Sequence, residues 1–318
     1  MPFSPAACPF HALPDAGLRQ VGVEVEFMGP SAGDAARALA KGLGGVVEQE
    51  DAHAFTLRGS MLGDLAVDLD LRYAHPQRHG KALPIRIEPA AAAGLGWLLS
   101  PVVPRELIAP PLPVERLGEI DRAIGLLRKA GARGLGATLF GSLGLHFNIE
   151  APADDICRII SVTKAFALME PRLRRDIARD RRRLARHLPP PYPAAYRHRI
   201  TTPGYAPDLA GLIDDYLDAN PTRDRGLDLL PLLLHLDAPR VRARLPYEKI
   251  AARPVFHYRL PQAYPGDATW SISPDWNRWV AVERLAGDDT RLAAACEAGR
   301  AAPAIRRRRA MVTVPLLG

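Results

Sequence analysis

Cysteine is scarce in this chain, and several patterns that announce a function are missing. The 318 residues hold three cysteines, Cys8, Cys157 and Cys296. An odd count without metal-ligand spacing argues against a disulfide framework and points to a reducing cytoplasm. Long apolar runs are also lacking: the best stretch, Ala90 to Val103, is broken by Gly94, Gly96 and Pro101, so no membrane association is expected. Residues Met1 to Leu18 have no basic start and carry several prolines, so a secretory signal is not expected. Gly134, Gly136, Gly141 and Gly144 fit neither the phosphate-cradling loop of nucleotide-binding folds nor the dinucleotide fingerprint. Internal repeats, low-complexity tracts and a clear linker are missing too.

What is present is a globular composition, 47% hydrophobic and 24% charged, long enough for one large mixed domain or two smaller ones. The formal net charge is +7, which favours anionic partners such as nucleotide phosphates or acidic peptides and does not by itself call for nucleic acid. Apolar spacing predicts helices over Gly33–Leu43, Glu115–Ala130 and Asp208–Ala219, a long one from a cap at Asp154 or Asp155 into the arginine-rich 172–186, one starting at Ser273-Pro274, and a last one capped by Asp288. The arginine-rich stretch is expected to be a solvated helix face on which Asp176 and Asp180 pair. The 306–309 arginine cluster lies in a tail, and the segment Asn220–Pro231 reads as a polar loop.

Against this basic background, acidic and metal-capable side chains fall on alternate residues. The stretches are Gly22-Val-Glu-Val-Glu-Phe27, Val67-Asp-Leu-Asp-Leu-Arg-Tyr73, Gly144-Leu-His-Phe-Asn-Ile-Glu150 and Phe256-His-Tyr-Arg-Leu260. Residues two apart on a strand share a face, with Cα atoms roughly 6.5–7 Å apart. Glu24 with Glu26, Asp68 with Asp70 and Arg72, His146 with Asn148 and Glu150, and His257 with Arg259 then line one face of a sheet whose other face is Val, Leu, Ile, Phe and Tyr. Such patterns are also the ordinary mark of a half-solvated sheet. These faces, however, hold Glu-x-Glu, Asp-x-Asp and His-x-Asn-x-Glu with no lysine, and so many carboxylates repel one another unless cations sit among them. Tyr258, Phe147 and Trp276 are expected in the core, and His53 and His75 in structural roles.

The order of these segments resembles the carboxylate–amine ligase superfamily of glutamine synthetase and γ-glutamylcysteine ligase, and within it the amidoligase branch. That branch has a Gly-x-Glu-x-Glu-Phe strand (22–27 here), then a Glu strand ending in prolines (Arg105-Glu-Leu-Ile-Ala-Pro-Pro111). A Gly-x-His-x-[His/Asn] strand follows (144–148), and last a Glu-x-Arg strand, whose slot is filled by Phe256-His-Tyr-Arg259. The resemblance spans about Val21 to Leu285. One departure stands out: His257 occupies the position of the superfamily's Glu, so either a metal ligand has changed type or that site is altered.

The resemblance implies an α+β fold, a curved antiparallel sheet carrying the site on its concave face with helices behind. It implies a single catalytic domain over 21–300, between an N-terminal extension (1–20) and a basic C-terminal tail (301–318). It also implies ATP-dependent joining of a carboxylate substrate, small molecule or peptide, to an amine through an acyl phosphate, with Mg²⁺ or in its place Mn²⁺. Glu24, Glu26, Glu106, His146 and Asp70 are then the metal ligands, since Mg²⁺ takes oxygen donors and few carboxylates per ion. Arg259 suits the transferred phosphoryl group. Arg223, Arg225 and Asn148 are candidate nucleotide contacts, and Arg72, Asn148 and His257 candidate substrate contacts. Glu150 and Asp68 are candidates for the general base. The same cluster also suits a metal-dependent phosphoesterase, or a nucleotide- or peptide-binding module without catalysis, toward which His257 points. Which acid and amine are joined, and whether the chain forms an oligomer, stay open.

Overall fold

The computed structural model describes residues 19–79, 87–136, 142–180 and 188–299. In chain order the elements are β1 (Gln20–Phe27), α1 (Ala32–Leu43), β2 (Val46–Asp51), β3 (Ala54–Ser60), β4 (Gly63–Leu69), a 3-10 turn (Arg72–Ala74), α2 (Pro76–His79) and α3 (Pro89–Leu99). Next come β5 (Arg105–Pro113), a 3-10 turn (Val114–Arg116), α4 (Gly118–Lys129), β6 (Leu145–Glu150), α5 (Ile156–Asp180), α6 (Ala194–Ile200) and α7 (Leu209–Ala219). The chain continues with β7 (Leu227–Asp228), α8 (Leu230–Leu236), α9 (Ala238–Arg244), β8 (Val255–Tyr258) and α10 (Ser273–Ala286). Residues 289–299 are also helical, with Asp288 Oδ1 capping Arg291 N.

The strands form one antiparallel, open sheet in the order β2-β3-β4-β5-β1-β6-β8-β7. This is an α+β architecture. Its logic is the period of two in β1. Val21, Val23, Val25 and Phe27 are fully buried on one face, which leaves Glu24 and Glu26 on the other. The same apolar face continues through Leu107 of β5, Phe147 and Ile149 of β6, and Phe256 and Tyr258 of β8. The helices cover that face. α1, capped by Ser31 on Asp34 N, packs on β3 and α4. α5 and α10 pack together, and α10 sets Trp276 against Phe147 at 5.8 Å and Trp279 against Tyr258 at 5.3 Å between ring centres. Phe147, Tyr258 and Trp276 are thus core residues; losing such a ring typically costs about 3–5 kcal/mol.

Strand register does the rest of the positioning. Glu26 pairs with Glu106 and Glu24 with His146 across β1. Glu106 pairs on its other side with Asp68, and Asn148 with His257. Side chains scattered from position 24 to position 257 therefore sit on adjacent rungs of central strands.

Three expectations need correction. The strand predicted to reach Tyr73 ends at Leu69, because His75 Nε2 holds the Leu69 carbonyl at 2.8 Å and His75 Nδ1 binds Asp51 at 2.8 Å. Arg72 therefore opens a 3-10 turn instead of sharing a strand face with Asp68. The predicted polar loop 220–231 contains the short edge strand β7 and the start of α8. The helix starting at Ser273-Pro274, where Ser273 is expected as the cap, has Ile272 as its N-cap instead, and the Ile272 N–H donates to Asp121 Oδ1 at 3.0 Å. The arginine-rich segment is helical to Asp180, with Arg172 and Arg174 paired to Asp176 and Glu170. Residues 181–187, the 306–309 cluster and the extension before residue 19 lie outside the described residues.

Candidate active site

The polar face of the central strands forms the floor of a cavity of about 750 Å³. Glu24, Glu26, Glu106, His146 and His257 line it from the strands, with Asp70 and Arg72 at one side and Arg259 at the other. A wall from the 246–253 segment adds Tyr247, Lys249 and Arg253. A second cavity, of about 400 Å³, has one carboxylate among its lining side chains, Asp275, and Arg278 neutralises it at 2.6 Å. The chemistry is concentrated in the larger one.

Glu24 is the hub. Its Oε2 lies 3.2 Å from His146 Nδ1 and 3.7 Å from His257 Nε2. Its Oε1 accepts from Asn148 Nδ2 at 2.8 Å and lies 3.5 Å from an Arg253 nitrogen. Burial alone would raise its pKa, but the polar contacts of His146 and His257 hold it well below the ordinary carboxylate range. Glu26 is pushed up to about 7, by burial first and by the charge of Asp70 second, against a 2.8 Å hydrogen bond from Gly144 N. Glu106 is raised well above its usual value by burial and then by Glu24, Asp70 and Glu26. His146 is pushed down to about 4, chiefly by burial, so it is a neutral imidazole able to donate a lone pair. Two carboxylates that resist ionising beside a neutral imidazole form a cluster that a cation would relieve. Donor atoms of Glu24, His146 and His257 all lie within 4.8 Å of one another, and so do those of Glu26, Glu106 and His146.

The structure thus brings together Glu24, Glu26, Glu106, His146, Asp70, Arg72, Arg223, His257 and Arg259. Asn148 reaches the site through Glu24. The remaining sequence candidates are engaged elsewhere. Asp68 is tied to Arg78 at 2.5 Å, and Arg78 also holds Glu50 at 2.6 Å. Glu150 sits at the end of β6 and accepts from Gln20 N at 3.0 Å. Neither is positioned as a general base of this pocket. Arg225 turns onto Asn220 Oδ1 at 2.7 Å and the Asp224 carbonyl at 2.9 Å, outside the cavity. Arg223 does reach the site, but as a support: it binds Asp228 at 3.0 Å and the Lys249 carbonyl at 3.1 Å.

Sequence reasoning missed Asp228, which is fully buried on β7 with Oδ2 3.3 Å from His257 Nδ1. The signal was available: Gly226-Leu-Asp-Leu alternates like the other strands but is two residues long in its sheet pairing. It also missed the 246–253 wall. Arg242 pins that segment through the Glu248 and Ile250 carbonyls at 2.7 and 2.9 Å.

A family model described as "Putative amidoligase enzyme" matches residues 18–281. The chain belongs to this amidoligase family. No curated protein and no solved structure matches it. The amidoligase match takes in every strand of the sheet and each residue lining the cavity floor. Among the described residues, no helix is long and apolar enough to cross a membrane.

Proposed function

We propose that this amidoligase-family protein is an ATP- and Mg²⁺-dependent carboxylate–amine ligase that works through an acyl phosphate. The observation carrying the reading is the convergence of Glu24, Glu26, Glu106 and His146 opposite Arg259 in one cavity. A family name that specifies amide formation fits that geometry, because activating a carboxylate with ATP needs hard cations beside a phosphate-binding arginine.

The donor set suits the cation. Glu26 and Glu106 are carboxylates whose ionisation is held back by burial and by each other, and a divalent ion removes that penalty. When bound, Mg²⁺ would neutralise the phosphate oxygens during phosphoryl transfer. The chain's own residues do the positioning. Glu24, fixed by Asn148 and His146, sets the centre of the floor. Arg259, half-buried and with its Nε unpartnered, faces the charge that develops on the transferred phosphoryl group. Arg72 and Lys249 at the rim attract the carboxylate substrate. In the first step a carboxylate oxygen attacks the γ-phosphorus and ADP leaves. In the second the amine nitrogen attacks the acyl carbon, phosphate leaves and the amine gives up a proton.

The antiparallel sheet with an acidic face and a helix-covered face supports a glutamine synthetase-like catalytic domain over 21–300. Free Cys157 and Cys296 suit a cytoplasmic enzyme. The test is ADP release from Mg-ATP across a panel of carboxylates and amines. Release that requires both substrates is the expected result. Hydrolysis of model phosphoesters without ATP, and no ADP release from folded protein, would overturn the reading in favour of a phosphoesterase.

A further inference from the structure

His257 is 2% exposed, and its Nε2 is buried with no hydrogen-bond partner. That nitrogen lies 3.7 Å from Glu24 Oε2, too long for a hydrogen bond and short enough to share an ion. His146 Nδ1 stands 3.2 Å from the same oxygen, and the two imidazole rings meet edge to face at 5.5 Å. The opposite edge of His257 is backed by a carboxylate. Asp228 Oδ2 lies 3.3 Å from Nδ1, and Asp228 is itself fixed by Arg223 Nε and by Leu230 N, each at 3.0 Å. A carboxylate behind a buried imidazole whose outer nitrogen lacks a partner is the support that metal-bound histidines carry. Arg223 Nη2, 3.1 Å from Nδ1, competes for that nitrogen. A cation on Nε2 would select the tautomer in which Nδ1–H donates to Asp228.

The two donor groups of the cavity differ in kind. Glu26 and Glu106 offer oxygen beside Asp70, whereas Glu24, His146 and His257 offer two nitrogens and one oxygen. His146 Nδ1 faces carboxylates of both groups, at 3.2 Å from Glu24 and 3.9 Å from Glu106, and can serve one ion at a time. Two imidazoles and a carboxylate match borderline ions such as Zn²⁺, with a position left open, and are a poor match for Mg²⁺.

We infer that Glu24, His146 and His257 form a resident site for a borderline transition ion of the Zn²⁺ class, distinct from the oxygen side that takes the nucleotide's Mg²⁺. This rests on the cavity being a cation site and not on the ligase chemistry. His257, in the slot that the resemblance gives to Glu, then changes the metal and leaves a site in place.

Chelator-stripped full-length protein, titrated calorimetrically with Zn²⁺ alone and no ATP, tests it. One tight equivalent is expected. His257→Gln should weaken it by about tenfold or more, and Asp228→Asn, a positioning change, by about 10–100-fold. Wild-type protein loaded with one equivalent of Cu²⁺ should show pulsed-EPR couplings to two imidazole nitrogens, a readout that needs no variant to fold. Equal Zn²⁺ affinity in wild type and His257→Gln, or fewer than two imidazole couplings, would overturn the inference. Zn²⁺ binding with no ADP release from any substrate pair would sink the ligase reading and leave this one standing.

Discussion

The His146 imidazole occupies the space that a side chain on residue 144 would need: a Cβ there would overlap Nε2 and crowd Cε1 and Cδ2. Glycine at 144 is therefore a steric requirement of the ring position. The same residue donates its N–H to Glu26 Oε2 at 2.8 Å. One glycine thus sets the lie of a neutral imidazole and the orientation of a neighbouring carboxylate. Gly144→Ala should push the ring off the floor of the cavity or shift β6 against β1. A cost of about 1–3 kcal/mol is expected, together with loss of most of the melting-temperature gain produced by Mg²⁺ or Mn²⁺. Thermal melts with and without the ion check this; a variant that keeps the full ion-dependent gain would show that the Gly144 hydrogen bond to Glu26 does not support ion binding.

Arg259 enters the cavity just beyond β8, where its backbone N–H is held by the Gly226 carbonyl at 2.8 Å. The guanidinium is thereby anchored at its base, with Nε unpartnered. Arg259→Lys keeps the charge but loses the planar fork. The expected outcome is a fall in ADP-release rate on the order of 10²-fold, with little change in melting temperature. Steady-state kinetics against ATP decide it: an unchanged rate with a raised KM would make Arg259 a nucleotide-binding residue only.

The raised carboxylates predict how stability and ion binding follow pH. Glu26 has a folded pKa of about 7 against an ordinary value of 4.5. Between those values the folded chain keeps a proton that the unfolded chain has released. By linkage, this contribution to stability is full below the lower value and is lost as pH rises through the folded pKa. Glu106, also raised by burial and by the neighbouring carboxylates, adds to the loss. Glu24, lowered by His146 and His257 against its burial, acts oppositely, and its contribution disappears only in acid. A divalent ion competes with the protons on Glu26 and Glu106. His146, pushed down to about 4 from 6.5, offsets this loss in acid, so the ion-free protein should lose stability chiefly from about pH 6.5 to 7.5, and the gain from added Mg²⁺ should grow from about pH 5 to 7.5. Glu26→Gln should flatten both trends in melts across that window; an ion-dependent gain that is larger in acid would contradict the assignment.

How far the site could be read in the sequence depended on whether its residues lie on strands. Glu24, Glu26, His146 and His257 were legible because a strand fixes the face of every second residue, and antiparallel pairing of adjacent strands then places like faces together; Glu106 came only through the family resemblance. Asp68 obeyed the same rule, yet it is consumed by Arg78, a partner on the short helix α2 that no spacing connects to it. Arg72 was misplaced because a tertiary contact, His75 on the Leu69 carbonyl, cuts its strand short. Asp228 was passed over because its alternation spans a strand only two residues long, and the 246–253 wall stayed hidden because a loop pinned by Arg242 has no periodicity to detect. The helices followed their apolar spacing more closely, since caps such as Ser31 and Asp208 are local signals.

The start of β1 is held by a fully buried ion pair remote from the cavity. Arg19 Nη2 lies 2.6 Å from Glu283 Oε1 with both side chains inaccessible to solvent. Arg19 Nε donates to the Glu150 carbonyl at 2.8 Å, and Trp279 Nε1 donates to Glu283 Oε1 at 2.8 Å. One guanidinium therefore links the entry to β1, the end of β6 and helix α10. Removing one partner strands a charge in the core, which typically costs about 3–5 kcal/mol, whereas removing both charges costs far less than the sum. Arg19→Met should lower the urea midpoint by that equivalent. Arg19→Met combined with Glu283→Gln, which keeps an acceptor for Trp279, should recover much of it. Because the pair lies behind the sheet, ADP-release rate per folded molecule should not change in either variant. A double variant as unstable as the sum of the single ones would show that Arg19 acts through packing and its backbone hydrogen bond, with the ion pair contributing nothing.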